Sequence, residues 1–206
     1  MTNPPEQTGR PDVEKMKEAV AAFLKAAGQD PAQNPLLAQT PQLVAEAWAS
    51  EFLDGCGKDP RALLARELLP FSKSLCASHL TGPDWTPVSI RNIRFTGVCP
   101  HHLLPWSGTA HVAYIPESYI VGYGAIAQEV EALAHHLVLQ EVLAQQIACV
   151  FMDVVKPLAV LVRLEASQPC LTLRGERQHS AVTIAEGLVC RTNNWAERRL
   201  RKALEQ

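Results

Sequence analysis

Hydrophobic positions along this chain change period near residue 88, from helical spacing to alternation. That change separates a helical first part from a strand-bearing second part. Val13, Met16, Val20, Phe23 and Leu24 recur at helical spacing after Asp12, a capping side chain, and the pattern stops at Gly28. Residues 31–35 read as a linker. Thr40-Pro41 opens a second helix to about residue 53, with Thr40 as its cap and Pro41 in its first turn. Gly55-Cys56-Gly57 stops it, and Asp59-Pro60 starts a short third helix through residue 67. Residues 68–85 hold no clean period and contain Gly82-Pro83, which predicts a mobile loop.

From Val88 onward, Val88, Ile90, Ile93 and Phe95 and then Ala110, Val112 and Tyr114 alternate. They predict two antiparallel strands joined by a segment over 97–107. Residues 119–122 form a short strand. Two helices follow, over about 125–136 and 138–154, turning Ile126, Val130 and Leu133 and then Leu139, Leu143 and Ile147 inward. Pro157 ends that pair. Strands over 158–166 and 180–186 and an amphipathic helix over 193–204 complete the chain. The order ββααββ, without internal repeats, predicts an α+β fold with an antiparallel sheet and a two-helix layer. The expected organisation is a disordered polar, Pro-rich stretch over 1–12, N-terminal helices over 13–67 and a catalytic domain over 68–206.

Composition narrows the function. With 206 residues, 47% of them hydrophobic, the chain can bury a sizeable core. Nineteen basic residues against twenty-one acidic ones give a net charge of −2, so nothing advertises a polyanion partner and no nucleic acid is expected. No apolar run approaches a membrane span, and residues 1–12 lack the apolar core of a signal peptide. A cytoplasmic protein is expected. The six cysteines are unevenly spaced, which argues for reduced thiols over a disulfide framework. Cys149 reads as a buried small hydrophobe and Cys56 as a passenger in a glycine turn, while Cys76 and Cys190 have no partner nearby in sequence.

The candidate chemistry lies in Cys99-Pro100-His101-His102-Leu103-Leu104-Pro105. A Cys and a His three residues apart can close on one borderline metal, for which zinc is the usual occupant. One further ligand would leave the fourth position open to water, and His101 is then placed to move protons beside it. Hydrolysis is the implied reaction class. Cys170 on its own reads as a buried thiol after Pro169, and Glu141 as an ordinary helix glutamate.

Gly97 to Pro105, His111-Val112-Ala113-Tyr114-Ile115-Pro116, Gln140-Glu141, Glu165-Ala166 and Cys170 with Arg174-Gly175 together resemble the GTP cyclohydrolase I family. The resemblance spans about residues 40–190. It implies a tunnelling-fold subunit assembled into a toroidal homodecamer, a zinc cofactor, and water attack at C8 of a purine followed by rearrangement to a dihydropterin. It implies Cys99, His102 and Cys170 as zinc ligands and His101 as the proton-transfer residue. Glu141 becomes the carboxylate that grips a guanine edge, with Gln140 beside it and Arg174 on the phosphate side.

The chain also departs from that family. Gln168 stands where a second catalytic histidine is expected, and an amide cannot shuttle a proton near neutral pH. Leu43 and Glu46 stand where the family carries Arg and Lys, and Gly124-Ala125 and Gln128 where it carries Ser-Lys and Arg. Arg174 alone remains of the usual cluster. His179 reads as a surface histidine, and His135-His136 as surface or interface groups. Three functions stay open. One is a zinc cyclohydrolase acting on a guanine-like or pterin-like heterocycle without a triphosphate. Another is ordinary GTP cyclohydrolase I activity, with Arg174, Arg177, Lys73 or Arg163 binding phosphate. The last is a non-catalytic heterocycle-binding ring protein.

Overall fold

The computed structural model describes residues 9–71, 86–175, 177–192 and 194–205. The chain divides between Lys58 and Asp59 into two compact units. In the first, α1 (Val13–Ala26) packs against α2 (Thr40–Ala47), with a 3-10 turn (Pro35–Leu37) between them. Asp12 caps α1 as expected, its Oδ1 accepting from the Lys15 N–H at 3.1 Å. At the other end Gly28 takes a left-handed φ of 76°, so Gln29 N–H reaches back to the Leu24 carbonyl at 2.8 Å.

One local expectation fails in this unit, and two further features were not legible in the sequence. Thr40 is the first helical residue rather than the cap, and Gln39 occupies the cap position without a side-chain bond. The second helix changes to π-type bonding over Trp48–Phe52, closed by Leu53 N–H to the Trp48 carbonyl. No residue of the α1 stripe is fully buried, and Phe23 is 71% exposed. Residues 1–8 of the expected disordered stretch lie outside the described residues.

The second unit begins with α3 (Pro60–Ala65), whose first N–H groups, from Arg61 and Ala62, are capped by Asp59. It continues through β1 (Leu68–Pro70), β2 (Val88–Val98), β3 (Pro105–Ile115), β4 (Tyr119–Val121), α4 (Tyr123–Ala134) and α5 (Gln140–Val155). It ends with β5 (Ala159–Ser167), the single turn α6 (Pro169–Thr172), β6 (Thr183–Cys190) and α7 (Trp195–Glu205). The order β2, β3, α4, α5, β5, β6 is the predicted ββααββ arrangement, built on a four-stranded sheet ordered β2-β3-β5-β6 with every neighbour antiparallel. This is the α+β tunnelling fold.

Alternation places the core. Val112, Tyr114, Val160, Val162 and Leu164 face one way and pack with Ile126, Val130, Leu143, Ile147 and Phe151 of the helix pair. Ala113, Ile115 and Leu161 face the other way and are covered by Ala196 and Leu200 of α7. The odd spacing between Ile90 and Ile93 is a β-bulge, with Asn92 at φ 61°, and it lets both residues keep to the core side.

Several boundaries shift for identifiable reasons. β1 occupies the start of the expected loop because Leu68–Pro70 pairs with β4, and Phe71 N–H donates to the Ser118 carbonyl at 2.8 Å. Residues 72–85 of that loop, including Lys73 and Cys76, lie outside the described residues. Gly97 pairs with Trp106 and Val98 with Pro105, so the segment joining the two long strands covers only 99–104. β6 starts at Thr183 and runs on to Cys190. Leu139, expected inward, is 38% exposed, and Cys149 is half-buried, accepting from Gln145 Nε2. Cys99, Cys149, Cys170 and Cys190 are free thiols.

α5 lies so close to β6 that a Cβ on Gly187 would overlap the Ala144 carbonyl. Backbone on backbone cannot yield as a side-chain tip can. Gly187→Ala should therefore cost about 1–3 kcal/mol, read as a lower midpoint in urea unfolding; an unchanged midpoint would show that α5 is free to lift.

One residue conflicts with the core around it. Glu129 on α4 is fully buried, and neither carboxylate oxygen has a partner among the described residues. Burial alone pushes its carboxyl well above the ordinary value, favouring the protonated form.

Candidate metal centre and its pocket

Three pieces of chain converge beside the sheet. The first is the 99–104 turn. Cys99 N–H donates to the Leu104 carbonyl at 3.0 Å, and the Cys99 carbonyl accepts from Leu103 N–H at 2.9 Å. Leu103 closes the turn with φ 53°, which folds His102 back over Cys99 and brings its Nδ1 to 3.5 Å from the sulfur. The second is the end of β5. Its pairing of Ser167 with Ser107 carries Gln168 and Cys170 to the start of β3. The third is the N-terminus of α5. Val98 N–H donates to the His136 carbonyl at 3.3 Å and the Val98 carbonyl accepts from Val138 N–H at 3.0 Å, which holds Gln140 and Glu141 alongside.

The candidate donors of Cys99, His102 and Cys170 all lie within 4.8 Å of one another. Burial, together with the neighbouring Cys99 sulfur, pushes the Cys170 thiol upward, with a small opposing effect of Arg174. Two thiolates this close repel unless a cation lies between them. Two soft sulfurs and an imidazole nitrogen suit zinc, and one tetrahedral position is left over. The donor set therefore fits the metal that the sequence implies.

Arg174 adds a constraint. Its Nη1 lies 2.6 Å from His102 Nε2. A guanidinium only donates, so Nε2 accepts here and Nδ1 carries the ring proton. A neutral imidazole has one acceptor nitrogen. Metal ligation at Nδ1 and the Arg174 bond at Nε2 are therefore alternatives, and a metal at Nδ1 would release Arg174 from His102.

These residues open onto a pocket of about 170 Å³ lined by Cys99, His101, His102, Gln140, Glu141, Gln168 and Cys170. The side chains singled out from the sequence thus share one cavity, with Arg174 reaching it through His102. His101 and Glu141 are exposed at the pocket, Glu141 in the first turn of α5, where an acidic side chain suits the helix dipole. His179 is exposed and is not part of the lining. Sequence reading missed Trp106, Val138, Leu139 and Thr183 in the wall. The Gly97–Trp106 pair was the available signal, since a Cβ on Gly97 would come within 2.9 Å of the buried indole, which also meets Phe95 edge-on at 5.3 Å.

An antiparallel sheet backed by two helices, with a thiolate–imidazole donor set at the sheet end, defines a tunnelling-fold protein with a candidate metal site. The chain belongs to the GTP cyclohydrolase I family, whose profile matches residues 16–204. It is 40% identical over 173 residues to the GTP cyclohydrolase 1 of Leifsonia xyli subsp. xyli (strain CTCB07), covering 84% of each chain. It is 36% identical over 173 residues to the GTP cyclohydrolase 1 of Rickettsia bellii (strain OSU 85-389), again covering 84% of each. Among solved structures, the apo archaeosine synthase QueF-Like aligns with a TM-score of 0.43 and 18% identity, over 54% of this chain and 98% of that one. Family membership supports hydrolysis of a cyclic amidine as the activity.

Proposed function

We propose that this chain is a zinc-dependent cyclohydrolase that opens the imidazole ring of a guanine-like purine, or hydrolyses a related pterin-like heterocycle, lacking a triphosphate. The observation that carries the reading is the convergence of Cys99, His102, Cys170 and Glu141 on one pocket. Cys99, His102 and Cys170 would hold zinc, which would supply Lewis acidity and lower the pKa of a water. Glu141 accepts from both the ring N–H and the exocyclic amine of a guanine edge, which selects that face. His101 donates a proton to the ring nitrogen as its bond to the attacked carbon breaks. Trp106, Val138 and Leu139 give the pocket apolar walls that limit water. Gln168 supplies no proton, so the reaction ends at ring opening or deformylation.

The phosphate-free substrate follows from Leu43, Glu46, Gly124, Ala125 and Gln128, which replace the cations and serine of the family pattern. Each charge-assisted contact to phosphate contributes about 1.5–3 kcal/mol, so losing four removes several powers of ten in affinity. Zinc-reconstituted protein is expected to turn over guanosine with a kcat/KM at least about 100-fold above that for GTP. Efficient conversion of GTP to a fluorescent pterin triphosphate would overturn this. That outcome is the second reading, ordinary GTP cyclohydrolase I making dihydroneopterin triphosphate, and it is favoured by the names of the relatives at 36–40% identity.

The protein works in the cytoplasm as a homo-oligomer, a homodecamer by family resemblance, on a small-molecule heterocycle. No described helix is long and apolar enough to cross a membrane.

A further inference from the structure

Gln140 opens α5 and is 4% exposed. Its Nε2 donates to the Leu164 and Thr183 carbonyls, both at 3.0 Å. Backbone carbonyls only accept, so the orientation of this amide is fixed without ambiguity. Its Oε1 then accepts from Thr183 Oγ1 at 2.5 Å, a hydroxyl whose single proton is shared with the Ala166 carbonyl at 3.1 Å, and from Gln168 Nε2 at 3.1 Å. Both N–H groups and both lone pairs are filled from within the chain, which leaves Gln140 nothing to offer a ligand directly.

The constraint passes outward. Only an N–H can face Gln140 Oε1, so the Gln168 amide is fixed in turn. Its carbonyl oxygen and second N–H have no partner among the described residues, and Gln168 lines the pocket beside Cys99, His101, Glu141 and Cys170. We propose that Gln140 is a positioning residue that, anchored on β5 and β6, holds Gln168 with its carbonyl oxygen toward the pocket as a fixed acceptor for an N–H or O–H of the bound heterocycle. A histidine there would change its hydrogen bonding with pH, whereas an amide presents the same acceptor throughout. The claim rests on the heterocycle reading above for its ligand, but not for the geometry of the amide pair.

The test uses zinc-reconstituted full-length protein and 7-deazaguanosine, a guanosine analogue whose five-membered ring resists hydrolysis. Gln168→Met is expected to weaken binding about 3- to 10-fold, by one factor that stays constant from about pH 6 to 8. Gln140→Met should produce a similar loss and add nothing in the double variant, because it acts through Gln168. Additive losses, a factor that drifts with pH, or undiminished binding by Gln168→Met would each overturn the proposal. If Gln140→Met does not fold, Thr183→Val, which removes one donor to the same oxygen, takes its place in the cycle. Crystal structures without ligand read the geometry alone. Gln168 should hold one rotamer on Gln140 in the wild type, and several rotamers there would overturn the positioning role. A wild type that binds no guanine nucleoside yet keeps that single rotamer would refute the heterocycle reading, and with it the acceptor role, while the positioning role stands.

Discussion

Cys99→Ser is expected to reduce bound zinc from about one ion per chain to less than a tenth, and to lower turnover by at least about 1000-fold. Cys99 is buried in the 99–104 turn, with His102 Nδ1 3.5 Å from its sulfur. A serine hydroxyl is shorter, harder and far less acidic than a thiol, so it supplies neither the charge nor the softness that the site offers zinc. Cys170→Ser should behave alike, because the three donors lie within 4.8 Å of one another. Cys190→Ser is the control, since Cys190 is exposed and bonds to Thr192 at the end of β6. Metal content by elemental analysis and turnover on guanosine are the readouts. Full metal content and unimpaired turnover in both serine variants of the pocket thiols would remove the basis of the catalytic reading.

Glu129→Met is expected to stabilise the subunit by about 2–4 kcal/mol at neutral pH, an unusual sign for a change in a close-packed core. Methionine keeps the length of the side chain and removes two buried oxygens that have no partner among the described residues. The pH dependence has a definite direction. Burial raises the carboxyl of the folded state, whereas the unfolded chain titrates near its ordinary value of 4.5. Below that value both states hold the proton and Glu129 adds no slope. Above it the unfolded state ionises first, so stability falls as pH rises, by at most about 1.4 kcal/mol per pH unit, until the folded group ionises too. Urea unfolding across this range should show the slope in the wild type and lose it in Glu129→Met. A variant that is less stable, or a wild type without the slope, would mean that Glu129 has a partner in the assembled protein.

The parts of the fold legible in the sequence were those with long, unambiguous periods. Alternation over Val88 to Phe95 and Ala110 to Tyr114 identified the two long strands β2 and β3, and even the broken parity at Ile93 corresponds to the bulge. β1 was not legible, because three residues ending in proline carry no period and take their register from β4. Glu129 was not legible either. A glutamate among alanines reads as solvent-facing, and its burial comes from α3, β2 and α5 packing around α4. At the candidate site, Cys99 and His102 announce themselves by spacing. Cys170 and Glu141 became meaningful only through the family resemblance, since strand pairing brings them close. The full engagement of Gln140 depends on two carbonyls from different strands, which no local pattern encodes.

The register between β3 and β5 bears on when the cation is captured. A nascent chain offers only the Cys99–His102 fragment, a weak two-point chelate, and the second sulfur arrives once distant strands have zipped together. If zinc is held there as proposed, tight capture would be a late event that follows assembly of the subunit, and scarcity of the ion would leave a well-formed but silent molecule, ready to be switched on when supply returns.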